Sequence, residues 1–379
     1  MEFTKSFHLG GTEGQVIELL RSLPSDYQVQ VAVLERAGKL LGEVERLGYV
    51  PAAFPLQGSV ARGNTARQIA RLALWLRARR AELVHAHDFY SSILAVPAAK
   101  LASCKVVVGR LDLAHWHSPI QRRVLRLMTR LADHVIANAQ AVRRMLIDEG
   151  ISRSRISVIR YGLDLAQFDG RAEAGLRSPL PALDTYPVAL LVANMNHPVK
   201  RQEDFLRALS ILRREGNPIR ALLVGDGPRR ASLEDLARHL GLERIAYFLG
   251  HRTDIPAIYS KVAVGVLCSS AEGLSNAIIE GMAARRPMVV TNVGGNPELV
   301  APGERGLVVE PDRPADLAAA LRWILAHPLE ADRIGMAGRA YVASELSLAW
   351  MAKRQDALYR AIVRDPGRAH PVAHPEPAC

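Results

Sequence analysis

The sequence has few cysteines and no long apolar run. Cys104, Cys268 and Cys379 are far apart and lack the spacing of metal-ligand pairs, so we expect buried or tail thiols in a reducing compartment. No apolar run reaches about 18 residues, and the N-terminus does not follow a signal-peptide pattern. No Ser-His-Asp or Cys-His arrangement indicates a covalent nucleophile. These absences favour a cytoplasmic protein without a membrane-spanning helix.

Positive charge is concentrated in the N-terminal part of the 379-residue chain. The net charge is +11, and residues 1–165 hold 23 Lys and Arg against 14 Asp and Glu, a net charge of +9. This excess indicates an anionic partner for the N-terminal half. The length exceeds that of one ordinary domain, and 49% hydrophobic residues are enough for two cores.

Strand and helix patterns alternate along the chain, as in doubly wound α/β domains with parallel sheets. Residues 171–186 break the alternation with two prolines and a glycine, and we interpret them as a linker. The predicted domains are residues 1–170 and 187–345. A helix is predicted over 346–364, and the tail at 365–379, rich in Pro and His, is expected to be disordered.

The first residues do not fit the buried strand that normally opens such a domain. Met1–His8 carries Glu2 and Lys5 and has no apolar run. We therefore expect the first strand to be cut short or poorly formed. We also expect that an N-terminal extension with an apolar run would complete the sheet and stabilise the protein.

Polar residues with a capacity for ligand binding are concentrated in residues 265–298. A buried strand pattern leads through Glu272 and Gly273 to a helix pattern that begins at Asn276, and a double glycine follows the next strand. A helix N-terminus binds phosphate, and glycine lets the backbone approach a ligand closely. The carboxylates of Glu272 and Glu280 suit sugar hydroxyls. The order predicts a nucleotide-sugar site; the alternative is an ordinary βαβ turn with solvated glutamates.

This stretch resembles the donor-site signature of glycosyltransferase family 4. It contains two glutamates separated by seven residues, an Ala-rich helix, a Pro-led strand and then Gly-Gly-x-x-Glu. The resemblance extends from Gly10 to about Tyr359. It implies a GT-B fold, in which two Rossmann-like doubly wound α/β domains face a cleft, with the acceptor side on the first domain and the donor on the second. It also implies a retaining transfer and a C-terminal helix that crosses back to the first domain.

The resemblance implies catalytic roles for three residues. His87, in a His-x-His-Asp pattern with His85 as a weaker candidate, would contact the donor sugar or the acceptor. Lys200 would lie on the diphosphate, and Glu272 would bind donor hydroxyls. Taken alone, a strand-end histidine is more often structural, and a lysine at a helix start is usually solvated. The implied donor-binding residues are Gly10, Gly11, Arg201, Gly225, Gly227, Arg252, Gly273, Leu274, Ser275, Asn276 and Glu280.

Two positions at the donor site depart from the family pattern, and Arg285, farther from the site, replaces a small residue before the Pro-led strand. Asn194 stands where the family has an arginine, and Arg201 replaces a frequent glycine. The site therefore has one fixed positive charge fewer, for which Arg201 or the N-terminus of a helix would have to compensate.

No aspartate pair has the D-x-D spacing. This absence argues against the metal-dependent single-sheet transferases and favours fixed hydrogen-bond donors in place of Mg²⁺. We expect no metal and no cofactor, and a nucleotide sugar as co-substrate, whose base the sequence does not identify.

The sequence favours a retaining, metal-independent hexosyltransferase that moves a sugar from a nucleotide-diphosphate donor to a glycan or lipid-linked acceptor. Such a reaction fits the synthesis of cell-surface polysaccharide or glycolipid. One alternative is a GT-B epimerase or phosphorylase, which shares the two-domain architecture. The alternative outside enzymes is a non-catalytic nucleotide-sugar sensor or scaffold.

Two basic helix patterns predict a peripheral contact with an anionic membrane, on its cytoplasmic face. Thr65–Arg80 and Pro119–Leu131 combine arginine-rich faces with leucines, and Trp75 and Trp116 lie in or beside them. Such helices can lie in the membrane interface. The alternative, given equal weight, is that they are solvated outer helices whose apolar faces pack on the core. No nucleic-acid partner is expected, because no binding motif is present.

Overall fold

The computed structural model describes residues 1–56, 63–113, 117–176, 179–181, 186–217 and 219–364. The chain divides into two compact units: unit 1 is Met1–Gly162 together with the segment from Leu348, and unit 2 is Leu163–Ser347. The predicted tail at 365–379 lies outside the described residues.

The division between the units falls before the predicted linker. The helix Leu165–Ala174 overlaps residues 171–186 and packs against the helix Ile255–Tyr259 of unit 2. Gly175, at the end of the first helix, approaches Ala257 of the second closely. The start of the segment that we interpreted as a linker is therefore part of unit 2, because its helix is packed there.

The sheet of unit 1 has seven strands in the order β3-β2-β1-β4-β5-β6-β7, and all neighbours are parallel. The strands are β1 (Glu2–Thr4), β2 (Val31–Val33), β3 (Ala52–Ala53), β4 (Leu83–Ala86), β5 (Lys105–Arg110), β6 (His134–Ala137) and β7 (Ile156–Val158). Most are short runs of buried aliphatic residues, as expected for a parallel sheet that is covered on both faces.

The first strand is formed, and the expectation that Met1–His8 cannot fill a buried strand position is wrong. β1 lies between β2 and β4, and all three of its residues are buried. Phe3 is fully buried and packs edge-on against Phe54, with 6.2 Å between the ring centroids. Glu2 is tolerated because both of its carboxylate oxygens have hydrogen-bond partners.

Helices cover both faces of this sheet. They are α1 (Gly11–Ser22), α2 (Leu41–Arg46), α3 (Gly63–Ala78), α4 (Phe89–Ala102), α5 (Pro119–Leu131), α6 (Gln140–Asp148) and, from the C-terminal segment, the helix Leu348–Arg364. One face packs under α3 and α4, where Leu72 and Leu94 are fully buried. The other face packs under α1 and the C-terminal helix, which buries Leu358 and Ile362 against Val107. The C-terminal helix therefore completes the core of unit 1.

Unit 2 contains a six-stranded parallel sheet in the order β10-β9-β8-β11-β12-β13. Its strands are β8 (Val188–Val192), β9 (Arg220–Val224), β10 (Ala246–Gly250), β11 (Val264–Leu267), β12 (Met288–Thr291) and β13 (Gly306–Val309). Its helices are α7 (Leu165–Ala174), α8 (Gln202–Arg214), α9 (Arg230–His239), α10 (Ile255–Tyr259), α11 (Asn276–Ala283), α12 (Asn296–Val300), α13 (Pro314–Ala326) and α14 (Pro328–Glu345), and the C-terminal helix of unit 1 is α15. Two doubly wound parallel sheets confirm the predicted α/β class.

Within the described part of the chain, the structure contains no helix whose length and apolar composition would let it cross a bilayer.

Candidate functional site

The loops after β8 and β11 meet at the topological switch point of the unit 2 sheet. From β8 the strands are added outward to β10 on one side, and from β11 to β13 on the other. Ligands of open parallel sheets bind at such a point, outside the carboxyl ends of the strands. The two loops are bonded to each other: Ser270 N donates to Val199 O at 2.8 Å, and Cys268 Sγ donates to Arg201 O at 3.0 Å.

Lys200 and Glu272 form an ion pair at this switch point. Lys200 follows β8 at the end of a short 3-10 turn, Pro198–Lys200, and Glu272 follows β11. Lys200 Nζ donates to Glu272 Oε1 at 2.6 Å, and Ser269 Oγ donates to the same oxygen at 2.6 Å. The side chain of Glu272 is 10% exposed and that of Lys200 is 22% exposed. The structure therefore brings together two of the three residues with predicted catalytic roles.

The loop between Glu272 and α11 carries three predicted donor-binding residues, and the first residue of α11 is a fourth. Gly273, Leu274 and Ser275 are buried, and Asn276 begins the helix. Ser275 occupies the N-cap position, but its side chain does not cap the helix. The positive end of the α11 dipole thus lies at the carboxyl edge of the sheet, where it favours an anion.

Glu280 lies in the second turn of α11 and is half-buried. Burial raises the pKa of its carboxyl from 4.5 to about 7, while the positive charge of Arg171 acts in the opposite direction. At neutral pH a carboxyl of this pKa is partly protonated, so it can either donate a hydrogen bond to a hydroxyl group or accept one from it.

The double glycine after β12 holds the Glu272 loop in place. Gly294 has a φ of 53°, and a Cβ at this position would overlap the carbonyl oxygen of Glu272. Gly295 N donates to Gly273 O at 2.8 Å. The sequence predicts that these glycines let a ligand approach; in the structure, the backbone of the Glu272 loop occupies that position.

Gly225 and Gly227 are also required by backbone packing. Their φ angles are 131° and 153°, a region that favours glycine. A Cβ at Gly225 would overlap the carbonyl oxygen of Ala193, and one at Gly227 would lie 2.7 Å from Met195 O. The two glycines join the loops after β8 and β9, so packing alone explains their presence.

The two arginines predicted to contact the donor are paired with carboxylates. Arg201 donates to Asp204 through Nε at 2.8 Å and forms a second ion pair with Asp312. Its φ of 52° lies in the left-handed region that favours glycine. Arg252 binds both carboxylate oxygens of Asp254, at 2.6 and 2.7 Å. Both guanidinium groups are therefore already engaged by carboxylates through Nε and one terminal nitrogen, and their contacts with the donor stay predictions.

His87 lies at the switch point of the unit 1 sheet, between β1 and β4. It follows β4, its N–H donates to Phe3 O at 3.0 Å, and its side chain is almost fully buried. Nε2 of His87 lies 2.6 Å from Glu2 Oε2. The next residue, Asp88, caps α4 and accepts a hydrogen bond from Lys5 N at 2.6 Å. The position of His87 is thus fixed on both sides.

The remaining predicted residues of unit 1 have different environments. Gly10 and Gly11 are exposed and open α1, with Gly10 as an extended N-cap. His85 is buried, and its Nδ1 lies 2.6 Å from Tyr359 Oη. Burial, together with the neighbouring His87, lowers the pKa of His85 to about 4.

Three residues of these clusters are not predicted by sequence reasoning: Ser269, Glu2 and Tyr359. Tyr359 is buried, and its hydroxyl donates to Glu2 Oε1 at 3.0 Å. Two features of the sequence could have revealed this cluster: a carboxylate in the first strand, and the His-x-His pattern at the end of a later strand.

The described residues include one group of His, Cys, Asp and Glu side chains close enough to share an ion. It consists of Glu2, His85 and His87, with ligand atoms within 4.8 Å of one another. This group belongs to unit 1, whereas Lys200 and Glu272 belong to unit 2.

Comparison with protein families gives matches over most of both units. The family described as Glycosyltransferase Family 4 matches residues 9–167, and the family described as Glycosyl transferases group 1 matches residues 186–327. The D-inositol 3-phosphate glycosyltransferase of Nocardiopsis dassonvillei is 30% identical over 319 residues, which cover 77% of this chain and 72% of the relative. The glycogen synthase of Mycobacterium tuberculosis is 28% identical over 309 residues, with 78% and 72% covered.

Solved structures share the fold. HepE of Anabaena in complex with UDP gives a TM-score of 0.82 at 22% identity, over 95% of this chain and 99% of HepE. A glycosyltransferase of Rickettsia africae gives a TM-score of 0.80 at 18% identity, over 96% and 99% of the two chains. The predicted fold and family are confirmed: the chain belongs to glycosyltransferase family 4 and is a glycosyltransferase of the GT-B type, with two Rossmann-like domains.

Proposed function

We propose that this glycosyltransferase moves a hexose from a nucleotide-diphosphate donor, bound by unit 2, to a glycan or lipid-linked acceptor, with retention of configuration. The observation that carries the proposal is the Lys200–Glu272 ion pair at the switch point between β8 and β11. A cation and a carboxylate at this edge match the two parts of a sugar nucleotide, its phosphates and its hydroxyls. The synthesis of cell-surface polysaccharide or glycolipid is the process that such an acceptor would serve.

Each residue has a distinct role in the proposed reaction. Lys200 and the N-terminus of α11 stabilise the negative charge that develops on the leaving diphosphate. Glu272 and Glu280 accept hydrogen bonds from donor hydroxyls. His87 contacts the donor sugar or the acceptor.

In the proposed transfer step, the bond between C1 of the sugar and the phosphate oxygen breaks. The acceptor hydroxyl forms its bond to C1 on the same face, and its proton passes to the leaving phosphate. These residues supply the charge stabilisation, so the proposal requires no metal and no cofactor besides the nucleotide sugar. Crystal structures of HepE with UDP and with UDP-glucose make UDP-sugars the first donors to test.

The test is transfer or donor hydrolysis with a panel of nucleotide sugars and a matched pair of lysine variants. Lys200→Gln removes the proposed leaving-group cation and should lower kcat about 100-fold, the effect of losing one electrostatic stabiliser. Lys100→Gln removes a surface lysine of unit 1 that pairs with Asp133 at 2.8 Å, and it should leave kcat unchanged. Equal activity of the Lys200 variant and the parent would contradict the proposed role of Lys200.

The same assay distinguishes the alternative functions. A non-catalytic sensor or scaffold would bind a nucleotide sugar and convert none. An epimerase would return an isomer of the donor or of its free sugar without an acceptor, and a phosphorylase would require inorganic phosphate. Transfer to an added glycan or lipid acceptor supports the proposed function over all three.

We further propose that unit 1 docks on the anionic cytoplasmic face of a membrane through α5. Leu125 and Thr129 are the buried residues of this helix, whereas Ile120, Leu127 and Leu131 are 71%, 52% and 48% exposed. Spacings of seven and four residues place those three on one face of the helix. Packing on the core therefore does not account for these apolar side chains.

Basic side chains flank the exposed apolar face of α5. Arg122, Arg123 and Arg130 are exposed, and Arg126 lies 3.9 Å from Glu149. An apolar stripe bordered by arginines fits the interface of an anionic bilayer, where each basic residue contributes about 1 kcal/mol. The other predicted helix supports docking less: Trp75 packs edge-on against Phe54 at 5.9 Å and is stacked by Arg79. Trp116 lies outside the described residues.

A further inference from the structure

A buried polar cluster connects His87 to the C-terminal helix of unit 1. Glu2, His85, His87 and Tyr359 are each less than a tenth exposed. Glu2 Oε2 lies 2.6 Å from His87 Nε2, and Glu2 Oε1 accepts a hydrogen bond from Tyr359 Oη at 3.0 Å. His85 Nδ1 lies 2.6 Å from the same phenol oxygen. Four side chains from β1, the end of β4 and α15 thus form one hydrogen-bonded network.

The protons of this network can be assigned from its hydrogen bonds. Burial acts to raise the pKa of Glu2, but the neighbouring imidazoles of His85 and His87 outweigh it and hold that pKa well below 4.5. An ionised carboxylate only accepts hydrogen bonds, so His87 Nε2 and Tyr359 Oη are both donors. The phenol oxygen then accepts the proton of His85 Nδ1. His85 Nε2, which is buried and has no partner, is left with the lone pair of a neutral ring.

We propose that Glu2 and Tyr359 are positioning residues that fix the tautomer and the orientation of His87 for sugar transfer. The tautomer that we propose has its proton on Nε2, where Glu2 accepts it, and its lone pair on Nδ1, so His87 accepts a hydrogen bond there. The group that His87 recognises is accordingly a hydroxyl of the donor sugar or of the acceptor, and not a phosphate or another anion. This inference rests on the proposed catalytic role of His87.

Backbone and ring contacts restrict His87 further. Its N–H is bonded to Phe3 O in the same strand that carries Glu2. The rings of His85 and His87 lie against each other, with 3.8 Å between their centroids. Rotation of the His87 ring would break the bond to Glu2 and separate this ring pair, so the network holds a single orientation.

The direct test is nitrogen NMR of the full-length protein with labelled histidine, which does not depend on activity. The imidazole signals of His87, assigned with His87→Gln, should show a protonated Nε2 and an unprotonated Nδ1. Glu2→Gln should broaden or shift these signals, because an amide can present either its oxygen or its NH₂ group to the ring. A proton on Nδ1 in the parent protein would overturn the inference.

Kinetics test whether the network acts through His87. Glu2→Gln and Tyr359→Phe should each lower kcat/KM about tenfold to a hundredfold, the effect of losing one charge-assisted hydrogen bond. In a His87→Ala background, the same substitutions should have no further effect, because their action passes through the imidazole. Losses that persist in that background would show a merely structural role and would contradict the inference.

Tyr27→Phe is the matched control for Tyr359→Phe. Tyr27 Oη donates to Asp356 Oδ1 at 2.7 Å, so this phenol also bonds to α15, but it is not bonded to the histidines. This variant should keep the kcat/KM of the parent. An equal loss in both tyrosine variants would indicate that only the attachment of α15 matters.

Two further outcomes separate this inference from the other proposals. If His87→Ala transfers sugar at the rate of the parent, the catalytic role of His87 fails, whatever the NMR result. If stoichiometric Zn²⁺ is found by elemental analysis and is lost in Glu2→Gln, the cluster is a metal site and the hydrogen-bonding assignment is wrong.

Discussion

Glu280 is the residue whose charge state should change within the working pH range. Its folded-state pKa of about 7 lies above the ordinary 4.5, so the folded protein binds a proton more tightly than the unfolded chain. The stability that this proton contributes is present below pH 4.5 and is lost as the pH rises through 7. We expect the thermal stability of Glu280→Gln, relative to the parent, to be higher at pH 8 than at pH 5.

The measurement is thermal unfolding of both proteins at several pH values without a ligand. Glu243→Gln, at an exposed position of the same unit, is the control and should follow the parent at every pH. Parallel curves for the parent and Glu280→Gln between pH 5 and pH 8 would contradict the raised pKa.

At the residue scale, the sequence assigns Lys200 and Glu272 to one donor site but does not predict that they form an ion pair. They lie together because each follows a strand adjacent to the switch point of the sheet, and this strand order is known only from the structure. The binding of Arg201 to Asp204 and of Arg252 to Asp254 is not predictable, because it depends on loop conformations. The roles of Glu272, Glu280 and the other donor-site residues in catalysis remain predictions.

The loop after β12 is the element on which the geometry of Glu272 depends. Gly294→Ala introduces a Cβ where the backbone of Glu272 lies, so the loop that carries Glu272 must move. We expect a loss of about 1–3 kcal/mol from overpacking, in addition to about 1–2 kcal/mol of backbone strain, and weaker binding of the nucleotide sugar. Chemical denaturation and calorimetric titration measure the two effects.

Gly303→Ala is the matched control for that substitution. Gly303 also has a positive φ, of 78°, but a Cβ there would have no neighbour within 4 Å. This variant should show only the backbone strain and should bind the donor like the parent. Equal losses in the two variants would mean that Gly294 does not hold the Glu272 loop.

Helix α5 is the element that should attach the protein to a membrane. The protein should float with anionic vesicles at low salt, and Arg122, Arg123 and Arg126 changed to Glu should release it. Ile120, Leu127 and Leu131 changed to Ser should release it even though the charge is kept. Arg143, Arg144 and Arg153 changed to Glu give an equal change of net charge elsewhere in unit 1 and should leave flotation intact. Protein that stays at the bottom of the gradient at every lipid charge would rule out docking.

At the element scale, β8 can be predicted from its own residues, whereas β1 cannot, because the partners of its glutamate are distant in sequence. The run Val188–Val192 is a continuous apolar segment that becomes β8. β1 has no such run, because one of its three residues is Glu2, whose carboxylate is hydrogen-bonded to His87 and Tyr359. Tyr359 is 357 residues away in sequence, so no local pattern could show that Glu2 is satisfied.

For the whole molecule, we expect transfer that survives chelation and a product with the anomeric configuration of the donor. The reason is that, in the proposed mechanism, Lys200 and the α11 N-terminus supply the positive charge that a metal supplies in other transferases. Activity with excess EDTA and NMR of the product linkage measure the two properties. Activity that is abolished by EDTA and restored only by Mg²⁺ or Mn²⁺, or a product of inverted configuration, would falsify the mechanism.

The α/β class follows from the sequence because strand and helix patterns alternate along the chain. The family follows because residues 265–298 carry its signature. The boundary between the units is less accessible to sequence reasoning. Prolines and glycine mark a break at 171–186, but the packing of α7 on α10 determines that the start of this segment belongs to unit 2. The residues in this contact are about 80 positions apart, so the composition of residues 171–186 alone could not predict it.

Unit 1 is built from two separated parts of the chain, and this has a consequence for its synthesis. The ribosome releases α15 only after the whole of unit 2 has been made. Until then, the apolar residues that α15 covers, such as Val107 and Ile136, and the carboxylate of Glu2 lack their final partner. We therefore expect the nascent N-terminal half to stay incompletely folded, and accessible to chaperones, until α15 has been synthesised. A premature stop codon before Leu348 would leave that half permanently unfinished and open to proteases.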